Sequence, residues 1–373
     1  MEYGAITLDT SIFDQKGLML ESGLLKTLEQ FNGKPSHLVL SEIVVREVHA
    51  HLAKKASETR GQLQKALRGC VSHLTIDDKK IDEATKLLIP LEDDKEVAKI
   101  RIGSFIKKTG AEIVPARGHV ELDEIIKKYF HSHPPFSETG KKKNEFPDAI
   151  ALLSLESWAK KNKTKIVAVS DDSDWEAFAH ESEYIDVIKD LAEAIALFQP
   201  HSAAIDFCTR LGASLPSGKP EDIYNTIEQY ISDAVSEIDS YPDASSAFFW
   251  EPDIVKVEFE SFEFVTDEGG NALIQAVQGQ DESVVVEAKI VVNANASCSF
   301  SLSVHDSIDK DYVPIGENSA STDFQFESEI LFTLKGDFKN KPEDVDVVDF
   351  ELLSYPRSID FGDIEPDWWH DNE

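Results

Sequence analysis

Along the first two hundred residues the chain alternates between two hydrophobic rhythms. Short unbroken apolar runs at residues 4–8, His37–Leu40, Glu112–Val114 and Ile166–Val169 have the composition of strands buried on both faces. Between them apolar residues recur at helical spacing. Helices are predicted over Glu21–Phe31, over Asp78–Ile89, over Asp93–Lys108 and over His119–Phe130. Another starts at Ser41, a capping residue, and runs to about Arg68 with Ile43, Val44, Val48 and Leu52 on one face. A helix from Pro147 to about Lys161 suits proline at its first position, where no N–H is needed. A further helix is predicted from Asp174, then a strand over Tyr184–Val187 and a helix over Leu191–Phe198. Strands alternating with helices predict an α/β unit, a parallel sheet flanked by helices.

After Pro200 the texture changes. Glu221–Ile238 reads as a helix with Ile223, Ile227, Tyr230, Ile231, Ala234 and Ile238 on one face. Beyond Tyr241 the period becomes two, in Ile254–Glu260, Val284–Val292, Ser297–Val304, Phe324–Leu334 and Val345–Leu352. Alternation with turn residues between the runs predicts an antiparallel β-sandwich-like domain. The predicted organisation is an α/β domain at 1–199, a helical linker at 200–240 and an acidic β-rich domain at 241–373.

Charge sharpens that division. Of a net charge of −33, residues 1–200 carry 28 basic against 33 acidic side chains, and the remainder 9 against 37. An acidic surface opposes a polyanion, so nucleic acid is expected at the first domain and a basic protein partner, or an intramolecular contact, at the second. No apolar run reaches membrane-spanning length, and no signal-peptide pattern opens the chain. Cys70, Cys208 and Cys298 are too few and too scattered for a disulfide framework or a zinc ligand set. A cytoplasmic protein without membrane attachment is the expectation.

Four acidic motifs carry the candidate chemistry. Asp9 ends the first apolar run; Glu47 lies in Ser41-Glu42-Ile43-Val44-Val45-Arg46-Glu47; Asp148 opens the helix after Pro147; Asp172 and Asp174 stand in Ser170-Asp171-Asp172-Ser173-Asp174-Trp175. Each falls where a strand ends or a helix begins, places that converge on one edge of an α/β sheet. Carboxylates gathered there repel one another unless a hard cation with a preference for oxygen, Mg²⁺ or Mn²⁺, neutralises them.

In this order the motifs resemble the PIN domain, a metal-dependent nuclease fold, and the likeness covers about residues 1–200. Pro134-Pro135-Phe136, Lys142-Lys143 and Glu145-Phe146-Pro147-Asp148-Ala149-Ile150 are similar to a bacterial branch of PIN-like domains of unknown function. The chain departs from the pattern in a larger helical insertion at 55–110, and in Ser170 and Trp175 where threonine and phenylalanine are usual. The resemblance implies a metal-dependent endoribonuclease, in the context of a bacterial toxin or defence effector, acting on RNA, with single-stranded DNA as the alternative substrate. It implies catalytic roles for Asp9, Glu47, Asp148, Asp172 and Asp174, with Asp9, Asp148, Asp172 and Asp174 holding the metal. Other readings are a non-catalytic binding module and a structure-specific DNA nuclease.

Each residue has a plainer reading beside the functional one. Asp9, Asp172 and Asp174 are also good helix caps, and Asp148 complements a helix dipole. Glu42, in the first turn, competes with Glu47, which lies deeper among apolar residues. Lys141, Lys142 and Lys143 are candidates for gripping a substrate phosphate, or simply a solvated loop. Ser170 is a candidate for bonding a ligand or water. His131 and His133 read as loop residues, while Arg117 and His119 stay undecided. Phe248-Phe249-Trp250 and Trp368-Trp369 read as core or interface aromatics.

Overall fold

The computed structural model describes residues 3–73, 76–136, 145–200, 202–280, 282–306 and 311–366. Lys141–Lys143 and Trp368-Trp369, singled out above, lie outside the described residues. The chain divides into two compact units, Met1–Phe198 and Gln199–Glu373.

The first unit runs β1 (Tyr3–Leu8), α1 (Thr10–Gln15), α2 (Gly23–Thr27), β2 (His37–Ser41), α3 (Glu42–His73), α4 (Asp78–Leu88), α5 (Asp94–Thr109) and β3 (Glu112–Val114). It continues through α6 (Leu122–His131), α7 (Phe146–Asn162), β4 (Lys165–Val169), α8 (Ser173–Glu181), β5 (Ile185–Ile188) and α9 (Leu191–Ala196). The five strands are parallel, in the order β3-β2-β1-β4-β5. The strand order therefore reverses between β1 and β4, which pair from Tyr3↔Lys165 to Leu8↔Val169. At such a switch point the following connections diverge and leave a crevice at the carboxyl ends. Ala5, Ile6, Thr7 and Leu8 are wholly buried, as are Ile166–Val169, because helices cover both faces.

The helical insertion is built on α3, a single helix of 32 residues, against which α4 and α5 pack. Arg60 of α3 fixes the turn between those two. Its guanidinium pairs with Asp94 at 2.7 Å and donates to the carbonyls of Pro90 and Glu92 at 3.1 and 2.8 Å. Gly110 ends α5 at φ 67°, where an added Cβ would press on Asn32, including its backbone at 3.2 Å, so a side chain there would be strained.

The second unit comprises α10 (Ala203–Ser214), α11 (Glu221–Ser236), β6 (Tyr241–Ser245), β7 (Phe249–Pro252), β8 (Lys256–Phe264), β9 (Ile274–Gln280), β10 (Ser283–His305), β11 (Tyr312–Lys335), β12 (Asp346–Leu352) and β13 (Ser358–Asp363). Six strands form an antiparallel sheet around the β10–β11 hairpin, whose register runs from Ser283↔Lys335 to His305↔Tyr312. The runs expected as separate strands at 284–292 and 297–304 are one strand, because nothing between them breaks the alternation of inward apolar and outward polar residues. β6 and β13 pair separately and in parallel. Trp250 packs edge-on to Phe300, and Phe249 lies 4.7 Å from Tyr312, so these aromatics belong to the sheet's own packing.

The expected linker at 200–240 is corrected here. Helices α10 and α11 are not a connector; they bury Phe207, Cys208 and Leu211, and Ile223, Ile227, Ile231 and Val235, in the core beneath the sheet. Tyr230 stacks on Phe350 and Tyr224 on Phe262. A period-two sheet with one apolar face must cover it, and these helices supply the cover where a second full sheet was expected. Among the described residues, no helix is long and apolar enough to cross a membrane.

Replacing Ile231 by alanine should therefore lower the stability of the second unit by about 2–4 kcal/mol. Calorimetry of the full chain should show one transition moved and the other unchanged. A true linker helix would leave both where they were.

Candidate active site

Two hydrogen bonds assemble the centre of the crevice. Asp9 follows β1 directly, its backbone N–H bonded to Val169 O of the neighbouring strand at 2.9 Å. Its side chain caps α1 through Thr10 N at 2.6 Å, and also accepts from the Ser11 hydroxyl. Ser170, fully buried just past β4, donates its hydroxyl to Asp9 Oδ2 at 3.0 Å, joining the two strands of the switch point. Asp9 is thus both cap and core of the site, since one carboxylate has acceptor sites enough for both roles.

Glu47 comes in from α3. The Thr10 hydroxyl donates to its Oε2 at 2.7 Å, holding it beside Asp9. Glu42 does different work: Oε1 accepts from Ala116 N at 2.9 Å and Oε2 pairs with Arg46 at 3.1 Å. Its oxygens are committed to bracing the loop after β3, which separates the two candidates.

Asp148 stands in the first turn of α7, and the Trp175 indole donates to its Oδ1 at 3.3 Å. Burial pushes its carboxyl up to about 6 from the usual 3.8; the Trp175 bond opposes this, and the charges of Asp9, Glu47 and Asp172 add to it. Four separate acidic motifs therefore feel one another across this edge.

Asp172 is exposed and caps α8, accepting from Asp174 N at 2.7 Å, while its own N–H donates to Ser170 Oγ. Asp174 is buried in the first turn of that helix. Asp171 points elsewhere, toward Lys189, which also holds Glu176. His131 ends α6 and bonds the Lys127 carbonyl one turn back, while His133, just past that helix, faces Glu181 at the end of α8. His119 bonds the Pro115 carbonyl.

Three contributors escaped the sequence reading. The hydroxyls of Thr10 and Ser11 stand immediately after Asp9, and that adjacency is the sequence signal for them. The signal for Trp175 is its replacement of the usual phenylalanine, since an indole N–H can donate to a carboxylate and a phenyl ring cannot.

Residues 6–175 match the PIN domain family. The second unit has no family match. No curated protein and no solved structure matches the chain. The PIN domain is a nuclease-type fold, and the parallel sheet with its flanking helices accords with it.

Among the described residues, no three His, Cys, Asp or Glu side chains are gathered closely enough to hold one ion. The donor set nevertheless suits a hard divalent cation. It is all oxygen, and every charged neighbour shifting Asp148 is itself a carboxylate.

The raised carboxyl has a consequence for stability. The folded chain holds the Asp148 proton more tightly than the unfolded one, so this group's contribution is fully present below about pH 4 and is lost as pH rises through about 6. Asp148→Asn should stabilise the metal-free protein at pH 7.5, on the order of 1–2 kcal/mol, with the advantage shrinking toward pH 5. Thermal melts of both proteins in chelator across that range test it; a pH-independent difference would contradict it.

Proposed function

We propose that the PIN unit is a metal-dependent nuclease that hydrolyses phosphodiester bonds, with RNA as substrate. The observation that supports this is the placing of Asp9, Glu47, Asp148 and Asp172 at one sheet edge: Ser170 and Thr10 tie Asp9 and Glu47 there, and the charges of Asp9, Glu47 and Asp172 add to burial in raising the Asp148 carboxyl. Asp9, Asp148, Asp172 and Asp174 are the residues that would hold Mg²⁺ or Mn²⁺. When bound, such an ion supplies a polarised water and neutralises charge on the phosphate.

The chain's own side chains supply positioning. Ser170 and Ser11 fix the orientation of Asp9, and Trp175 fixes that of Asp148. Thr10 holds Glu47 at the rim, where a carboxylate can accept a proton from the attacking water. Burial of Asp9 limits water around its carboxylate and strengthens its charge. Preference for RNA over single-stranded DNA rests on the resemblance to PIN nucleases, so both belong in the test.

The purified full chain should cut labelled RNA with Mn²⁺ or Mg²⁺ and stop in EDTA. Asp148→Asn should lower that rate by at least about a hundredfold. Cleavage that persists in the variant or in EDTA would mean the site is elsewhere or the activity foreign.

Glu47 and Glu42 provide a sharper contrast. Glu47→Gln should abolish cutting with little change in melting temperature. Glu42→Gln should keep the activity and lose roughly 1 kcal/mol of stability, because the Ala116 and Arg46 bonds weaken. The opposite pattern would exchange their roles.

A further inference from the structure

The second unit offers a long strand edge. β11 is paired with β10 along its whole length, but on its other side, among the described residues, only β12 pairs with it, opposite Ile330–Lys335. The direction of its backbone groups follows from the ladder. Lys289 donates to Leu273 O and accepts from Val265 N, so its main-chain groups point away from β11. Its partner Glu329 likewise faces outward, accepting from Leu353 N. In a strand this direction alternates, and the β10–β11 register is unbroken from Gly316 to Lys335. The N–H and C=O groups of Glu317, Ser319, Ser321, Asp323, Gln325 and Glu327 therefore also point to the open side.

That edge has none of the usual protection by lysine, proline or a bulge over these residues. Its guard is negative charge, from Glu317, Asp323 and Glu327, all exposed. Cross-strand bonds hold its outer side chains flat: Asn295 to Asp323 at 2.6 Å, Gln325 to Asn293 at 3.0 Å, and Ser299 with Ser319 at 3.2 Å. On the opposite face Phe324 and Phe326 lie stacked at 5.8 Å, with Phe324 only partly buried, giving an apolar ledge at the edge. Two copies pairing edge to edge would set these carboxylates against one another, which costs energy.

We infer that the 317–327 edge of β11 is a docking site for an extended basic peptide segment, which adds to the sheet as a strand. Alternate Lys or Arg side chains of that segment lie over Glu317, Asp323 and Glu327. The intervening apolar ones lie beside Phe324 and Phe326. Main-chain hydrogen bonds give affinity, and the alternation gives specificity. The unit's excess of 37 acidic over 9 basic residues draws such a segment in from a distance. This inference stands apart from the nuclease reading, because it concerns the other unit and is tested by binding alone.

The test uses the full chain and two labelled peptides of about eleven residues with identical composition, one alternating Lys and Val, the other with its lysines in one block. The alternating peptide should bind roughly tenfold more tightly and slow hydrogen exchange at residues 317–327. Methylating its backbone nitrogens on one edge should remove that advantage without altering charge. Ser321→Pro should do the same from the protein side, since it deletes an outward N–H and leaves the β10 ladder whole. Equal binding of the two peptides, or indifference to methylation, would reduce the effect to charge and overturn the proposal. A dimer of the free chain that Ser321→Pro dissolves would overturn it in favour of self-pairing.

Discussion

Like charges held together in a crevice are the constraint on which the first unit turns. The sheet reverses its order between β1 and β4, and the chain leaves both strands at their carboxyl ends within hydrogen-bonding reach. Helices α3 and α7 each aim a further carboxyl at the same edge. Such a gathering is unfavourable in itself; at Asp148 burial is the main cause that raises the carboxyl to about 6, and the charges of Asp9, Glu47 and Asp172 add to it. The neighbouring hydroxyls and indole are placed to offset part of it. Ser170, Ser11, Thr10 and Trp175 all donate to carboxylates at this edge. Each bond stabilises the ionised form and at the same time fixes its direction, so the features that make the cluster tolerable also make it precise.

The surrounding helices serve that arrangement. α3 must be held rigidly for Glu47 to stay at the rim, and its first turn is tied down by Glu42 through Ala116 and Arg46. Further along, Arg60 locks the α4–α5 turn against it. A second link, the Asp14 carboxylate on the His51 ring at 2.9 Å, joins α1 to α3 one turn past Glu47. Structural polar contacts thus flank the site on both sides, and the acidic residues between them are the ones left facing the crevice.

The second unit answers a different physical demand. Its strands bury one face and expose the other, so its stability comes from the helices α10 and α11 beneath the sheet. Its exposed face is hydrogen-bonded across strands through short amide and hydroxyl side chains, and is fringed with acids. High net negative charge on such a sheet opposes the pairing of like edges and attracts the opposite sign.

Period and composition by themselves determined the alternating α/β half, the antiparallel half and the boundary near residue 200, because buried strands and amphipathic helices impose their repeats on the chain. They also marked Asp9, Glu47, Asp148 and Asp172 as a set, through their place at strand and helix ends. Three matters were left to the tertiary structure. The sequence favours Glu47 over Glu42 by its depth in the helix and by the motif resemblance, and the contacts of Ala116 and Thr10, distant in sequence, give the physical difference between the two. The helix at 221–236 has the same apolar stripe whether it spans a gap or seals a core; the presence of a bare sheet face decided that it seals one. The raised carboxyl of Asp148 depends on burial and on three charges from three other segments, which no local window contains. Local sequence fixes what each segment prefers, and long-range packing fixes which groups then stand within a few ångströms of one another.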